Sequence, residues 1–423
     1  MIKHMIKLVW NRKRVNILIM IEIFFSFIVL FAAILGGVFY IDNYLKPIGF
    51  EYQNVWRIGI SDNQNREESV ASETSRSNEP AQPGSPQAVN SKAETVRQLA
   101  IAVREFPEVE EVSFATIAPY SNSGMESAMD GDGVPIRFGV DIVSDDFQKA
   151  LGLQVVLGRW FSREDDGQQY QPVVINQLMA RELFGDADPI GKEPRRPKKG
   201  PDKEKSNEPP RRIVGVISDF RKDGEYAASE NFMFRRITID DKMEKTPNNM
   251  LIKVRPGATA ALEERLIKRL QNSARNFSFE IEPLSKMREE MNMIRLAPVI
   301  AGGLIAAFLM IMVAMGLTGV LWQNVTQRTR EIGLRRAKGA TKNKIYQQIL
   351  GELVIISTFG LAIGIIIVSQ FQILKVIDFI SLRVYVMSMI ISVILIYALT
   401  VLCGLYPSRM ATKIHPAEAL HYE

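Results

Sequence analysis

QRTREIGLRRAKGATKNK, Gln327–Lys344, decides how the rest of the chain is read, because it lies between two long apolar runs. A basic, glycine-punctuated segment in that position is poor material for a substrate pocket. It suits a short helix on the inner surface of a membrane, where a second protein can push on it.

Working outward from it, four stretches are long and apolar enough for a helix to cross a bilayer, which takes about 20 residues. They are Val15–Ile41, Leu296–Trp322, residues 349–371 with the uninterrupted run Leu353–Phe371, and Val384–Tyr406. Lysine and arginine set the orientation. The N-terminal segment carries Lys3, Lys7, Arg12, Lys13 and Arg14, and the loop 323–348 carries Arg328, Arg330, Arg335, Arg336, Lys338, Lys342 and Lys344 against one acid, Glu331. The tail 407–423 adds Arg409 and Lys413, so both termini and the basic loop are expected inside and residues 42–293 outside. The first run is longer than the roughly 7–15 residues of a signal h-region and has no small-residue cleavage site after it, so it reads as a retained anchor. Residues 1–14, with Ile2, Ile6, Val9 and Trp10 among basic residues, read as an amphipathic segment on the inner surface.

The chain has 423 residues, 52 of them basic and 47 acidic, and its net charge of +5 follows from the inner loops. No basic face with aromatics or a known motif points to nucleic acid. The one cysteine, Cys403, lies in the fourth span, and His4, His415 and His421 all fall on the expected inner side. The outer region therefore offers no thiol or imidazole for a catalytic triad, a cysteine nucleophile or an ordinary zinc site. No catalytic, cofactor-binding or metal-ligating residue is predicted. The nearest approach to a phosphate-binding loop, GDADPIGKE from Gly185, has its glycines one residue too far apart and Glu193 where serine or threonine is needed. Energy from ATP has to come from a partner.

The outer region alternates strand-like and helix-like pieces. VWRIGI reads as a strand, Ala93–Phe106 as a helix and Val109–Thr116 as a strand; MLIKVRP, Thr259–Asn272 and FSFEIEPL repeat that order. Short strands from about Tyr120 to Arg235 lie between. Residues 61–94 and 193–212 are too polar to bury a core and read as loops. The predicted fold class is an α-helical membrane protein with four transmembrane helices plus a large extracytoplasmic α/β domain with a β-rich insertion.

Within the basic loop, Thr326–Ala337 is expected to be a helix that stops at Gly339, with Thr341 capping the third span. Arg328, Arg330, Arg335 and Arg336 face anionic lipid in this reading, at roughly 1 kcal/mol each. Glu331 either meets a basic residue of a partner or pairs with Arg335 one turn on. Glu22, the carboxylate inside the first span, either reaches headgroups or makes a buried pairing. Small residues at four-residue spacing (Ala32/Gly36, Ala33/Gly37, Gly302/Ala306, Gly303/Ala307, Gly360/Gly364) predict close helix packing and a dimer seam.

TREIGLRRAKGATKNKI before a span resembles the signature of FtsX-like permeases of ABC transporters, and YPSRMATKIHPAEAL is similar to that family's ending, where a proline closes the last span. VDIVSDDFQKALGLQVVLGRWFSREDD, PVVINQLMARELFGDADPIGK and RRIVGVISDFR resemble the periplasmic domain of MacB-type permeases. Lys338 stands where the family usually has an apolar residue. The resemblance implies a half-transporter with a porter-like outer part, acting as a dimer with a second copy or a paralogue. It implies a separate cytoplasmic ABC ATPase that holds the ATP, so that this chain needs no cofactor of its own. Its ATPase-coupling residues would be Arg328, Arg330, Glu331, Gly333, Arg335, Arg336, Gly339 and Ala340. It implies a bacterial inner membrane, and leaves open the cargo and whether a periplasmic adaptor and outer-membrane channel take part. A transmembrane regulator of envelope processes that moves no cargo is the alternative.

Overall fold

The computed structural model describes residues 13–62, 86–131, 134–194, 209–237, 247–374, 376–377 and 379–413. The amphipathic segment expected over 1–14, apart from Lys13 and Arg14, and the end of the tail lie outside the described residues. The chain forms two units, residues 44–294 and residues 1–43 with 295–423.

In the α/β unit, ten strands make one sheet: β1 (Val55–Asp62), β2 (Val109–Ala115), β3 (Met125–Gly131), β4 (Val134–Val143), β5 (Val155–Gly158), β6 (Gln171–Asn176), β7 (Arg211–Ile217), β8 (Phe232–Arg236), β9 (Asn249–Val254) and β10 (Phe277–Pro283). Their order is β10-β1-β9-β2-β4-β8-β6-β7-β5, with β3 paired to β4. The first four are interleaved: β1 lies antiparallel between β10 (Ile58↔Ile281) and β9 (Trp56↔Ile252), and β9 pairs in turn with β2 (Val112↔Ile252). With the connecting helices Pro86–Arg104 and Ala260–Ser273 this is a split β–α–β arrangement. Both helices keep apolar residues at helical spacing, Val96, Leu99 and Val103 on one and Leu262, Leu266 and Leu270 on the other. These meet Trp56, Ile58, Ile60, Val112 and Ile252 of the sheet in one buried cluster.

The remaining strands extend that same sheet through a single rung, Ala115↔Val143. From β4 outward the pairs alternate, β4 with β8 parallel, β8 with β6 antiparallel, β6 with β7 parallel and β7 with β5 antiparallel. An aromatic core of Phe147, Trp160, Phe220, Phe232 and Phe234 fills the junction, and Leu284, Met287 and Met291 pack into it.

Parts of both expected loops are regular structure. β1 runs to Asp62 and the following helix starts at Pro86, a position where the missing N–H costs nothing, so 61–62 and 86–94 are regular structure. Likewise Arg211 and Arg212 open β7, in register with Gln171 and Pro172 of β6, and the Arg212 guanidinium lies 5.2 Å from the centre of the Tyr170 ring. Charged residues are tolerated there because their neighbours supply backbone partners and an aromatic face.

Among the described residues, the helical unit carries four helices long and apolar enough to cross a membrane. With the short helices numbered in chain order, α1 spans Lys13–Tyr44, α2 Pro86–Arg104, α3 Phe147–Leu151, α4 Gln177–Phe184, α5 Ala260–Ser273, α6 Leu284–Gln327, α7 Thr329–Ala337, α8 Lys342–Ile373 and α9 Leu382–Lys413. The span expected over Leu296–Trp322 is thus part of a helix that begins twelve residues earlier, at Leu284. Pro407 does not close the last span: α9 continues through it to Lys413. Helices in apolar surroundings accommodate such a proline because neighbouring groups satisfy the freed carbonyl.

Small residues do bring helices together here. A methyl group on Gly364 would come within 2.5 Å of Phe27, and one on Gly360 within 2.9 Å of the Met20 carbonyl, so α8 presses against α1 at these two positions. Between α8 and α9 the Ser357 and Thr400 hydroxyls meet at 3.1 Å, Thr358 and Tyr397 at 2.9 Å, and the Tyr385 hydroxyl donates to the Val368 carbonyl. Gly302 and Gly303 meet nothing within 4 Å.

Candidate functional site

The chain between the second and third spans folds as an elbow. α6 runs unbroken to Gln327, so only Thr329–Ala337 of the expected Thr326–Ala337 helix forms the separate segment α7. Its termination follows from Gly339, whose φ of +91° is left-handed. The Ala340 N–H then donates to the Arg335 carbonyl at 3.0 Å, the long-range bond of a glycine-terminated helix end. Thr341 occupies the N-cap of α8 with extended backbone and no side-chain cap bond. Ile332 and Ile345 are buried against each other with Val325 and Ile349 beside them, so α7 turns its apolar edge to the base of α8. Gly333 is buried on that side, while Leu334 is 48% exposed.

A polar network reinforces this small core. Arg328 donates to Glu352 at 2.6 Å, with both side chains largely buried. Arg335 donates to Glu331 at 2.5 Å and to Gln348 at 2.5 Å, and Gln348 in turn donates to Glu352 at 3.3 Å. Five side chains from α7, its leading edge and the first turns of α8 are therefore joined. The exposed Glu331–Arg335 pair, one turn apart, contributes roughly 0.3–0.5 kcal/mol. The half-buried Arg328–Glu352 pair is the geometric key, because losing one partner would leave the other charged and poorly solvated.

The arginines were expected to face anionic lipid. Arg328 and Arg335 instead turn to carboxylates of the same chain, since a fixed carboxylate within hydrogen-bond reach outcompetes a mobile headgroup. Arg330 is exposed, Gly339 is exposed and Ala340 is half-buried. Arg336 lies on the described backbone of α7. Two members of the network, Gln348 and Glu352, escaped the sequence reading, which counted Glu331 as the local acid. Their signal was their spacing, four residues apart on a helix that carries a charge into the start of an apolar run.

Glu22 meets the second long helix of the same unit. Its carboxylate rests against Gly316 on α6, where a methyl group would come within 2.5 Å of it. At the elbow's end of the spans Trp322 and Tyr406 stack at 6.3 Å, an aromatic pair of the kind that sits at headgroup level. Among the described residues no group of three or more His, Cys, Asp or Glu side chains is arranged to hold a metal ion.

Residues 16–269 match the family described as MacB-like periplasmic core domain, and residues 303–416 match FtsX-like permease C-terminal. The chain is 28% identical over 279 residues to the macrolide export ATP-binding/permease protein MacB of Bdellovibrio bacteriovorus, covering 63% of this chain and 41% of that protein. It is 25% identical over 306 residues to the ABC transporter permease YvrN of Bacillus subtilis, covering 68% of this chain and 70% of that one. It spans about two-fifths of the length of the MacB relatives it matches. The periplasmic region of MacB from Actinobacillus actinomycetemcomitans aligns over 59% of this chain and 97% of its own, at 15% identity and a TM-score of 0.36.

Proposed function

The chain belongs to the MacB-like periplasmic core domain family and carries the FtsX-like permease C-terminus, and we propose that it is the permease subunit of an ABC transporter that turns ATP hydrolysis by a separate cytoplasmic ATPase into movement of its α/β unit. The observation that carries this reading is the elbow. Its two inward-turned arginines fasten α7 to α8 and leave Leu334 and Arg330 on the exposed side, a surface that a partner can grip without dismantling the segment. In this reading ATP binds to the partner.

In this reading the protein sits in a bacterial inner membrane with both termini cytoplasmic and the α/β unit in the periplasm. A second copy or a paralogue completes a dimer, for which the uncovered glycines Gly302 and Gly303 on α6 are suited. Export through an adaptor and an outer-membrane channel and mechanical signalling to the envelope are the two uses of such motion. Close packing of α8 on α1 at Gly360 and Gly364 supports a mechanical device over a wide conduit.

Reconstituting the chain with its ATPase tests the reading. The permease should stimulate hydrolysis, and Leu334→Glu should remove at least nine-tenths of that stimulation while the protein stays folded and in the membrane. Full stimulation by the variant, or labelling of the elbow by an impermeant reagent added outside intact cells, refutes it.

A further inference from the structure

The loop after β7, residues 219–227, touches both segments by which the α/β unit is joined to the rest of the chain. On the first of these, Tyr226 stacks on Tyr44, the last residue of α1, with ring centres 5.5 Å apart. Arg221, only 1% exposed, donates to the Pro47 carbonyl at 3.1 Å and to the Lys46 carbonyl, and its own N–H donates to Ile48 at 2.9 Å. The same guanidinium closes the loop on itself through the Glu225 and Ala227 carbonyls at 3.0 and 3.3 Å. Gly49 follows with a φ of +87°, and a Cβ there would stand 1.7 Å from the Asp219 carbonyl, so only glycine lets the two backbones meet this closely.

The second segment is the root of α6. Glu225 accepts from Arg288 at 2.5 Å, and the Arg288 guanidinium lies 4.8 Å from the centre of the Tyr52 ring. Gly224 packs beside Asn292, one turn further along α6, and beside the ring of Tyr120. Tyr120 itself holds the left-handed φ of 62°, which a bulky residue adopts only when its surroundings impose it. Nine consecutive residues thus grip two segments that are about 240 positions apart in sequence, with Arg221 and Glu225 buried at the centre.

We propose that residues 219–227 form a clamp in which Arg221, Glu225 and Tyr226 are positioning residues that lock the end of α1 and the root of α6 into one mechanical element. A displacement of either segment is then felt by the other before it reaches the sheet. The chemistry suits this role. Arg221 holds backbone carbonyls, which cannot be exchanged for those of another protein, and the α1 and α6 sides share Glu225, which Arg221 holds by its carbonyl and Arg288 by its carboxylate. The inference rests on the proposed transport reading only for what moves the clamp.

Hydrogen exchange on the full chain in lipid nanodiscs, with no ATPase present, tests it independently of that reading. Glu225→Gln keeps the side chain's volume and weakens the hold on Arg288. Tyr226→Leu removes the stack on Tyr44. A clamp predicts crossed effects: Glu225→Gln speeds exchange of the amides at 44–50 at least fivefold, and Tyr226→Leu does the same at 284–294. Exchange raised only on each variant's own side overturns the proposal. So does a general acceleration that includes β9, which would mark these residues as ordinary supports of the fold.

Discussion

The elbow and the clamp are built from the same side chains and use them in opposite ways. At the elbow, arginines meet carboxylates, and at its rim the Glu331–Arg335 pair is more than a third exposed on both sides. In the clamp, Arg221 is enclosed and its partners are main-chain oxygens. A rim pair can be traded for a partner's charge at little cost, because water screens it throughout. An enclosed guanidinium fixed on carbonyls has no such alternative. In the proposed reading, one place receives a signal from another protein and the other passes it on without slack.

The largest effect that would separate the two is expected at Arg221. Arg221→Met keeps much of the volume but strands at least four buried carbonyls, and should destabilise the α/β unit by about 3 kcal/mol or more. Loss of its cooperative melting transition at physiological temperature is the measurement. A melting point within a few degrees of the parent would put the clamp on the same footing as the elbow.

A second buried ionisable group sharpens the contrast. Asp141 is 2% exposed and accepts from the Ile117 and Ile142 N–H groups at 3.1 and 2.8 Å. Burial outweighs those bonds and pushes its carboxyl up from 3.8 to about 8. With the folded pKa above the unfolded one, the neutral acid's contribution is complete below about pH 4 and is lost as pH rises through about 8. Stability should therefore fall by on the order of a few kcal/mol between these limits. Asp141→Asn, which keeps the acceptor, should flatten the pH dependence of the melting temperature; an unchanged slope would rule this out.

At the elbow the effects should be smaller. Arg328→Gln and Glu352→Gln should each cost about 1–2 kcal/mol locally, and the double variant no more than the worse single one. Thermal melts combined with exchange at Ile345 and Ile349 would show it, and additive losses would mean the two do not act as a pair. Glu331→Gln should cost under about 0.5 kcal/mol and disappear in high salt. A larger loss would make the rim as rigid as the clamp.

Much of the architecture could be read from residues alone. Uninterrupted apolar runs gave the spans, and two strand–helix–strand patterns gave the split unit, because burial of one helix face leaves a period that survives in sequence. The interleaving of β9 between β1 and β2 could not be read that way, since register depends on partners far along the chain. Nor could the single rung Ala115↔Val143, through which the inserted strands continue one sheet. The Glu331–Arg335 pair was legible from its four-residue spacing, whereas Glu352 was hidden by its apolar neighbours. Arg221 was hidden for a different reason: an arginine in a glycine-containing loop reads as solvated until the carbonyls around it are located.

The interleaved sheet also sets a schedule for biosynthesis. β1 takes its place only when β9 and β10 exist, and β10 ends at Pro283. At roughly 5–20 residues per second, a ribosome needs on the order of 10–45 s to travel from the end of β1 to the end of β10. Through that interval β1 has both edges unpaired, the period in which a holding chaperone would matter most.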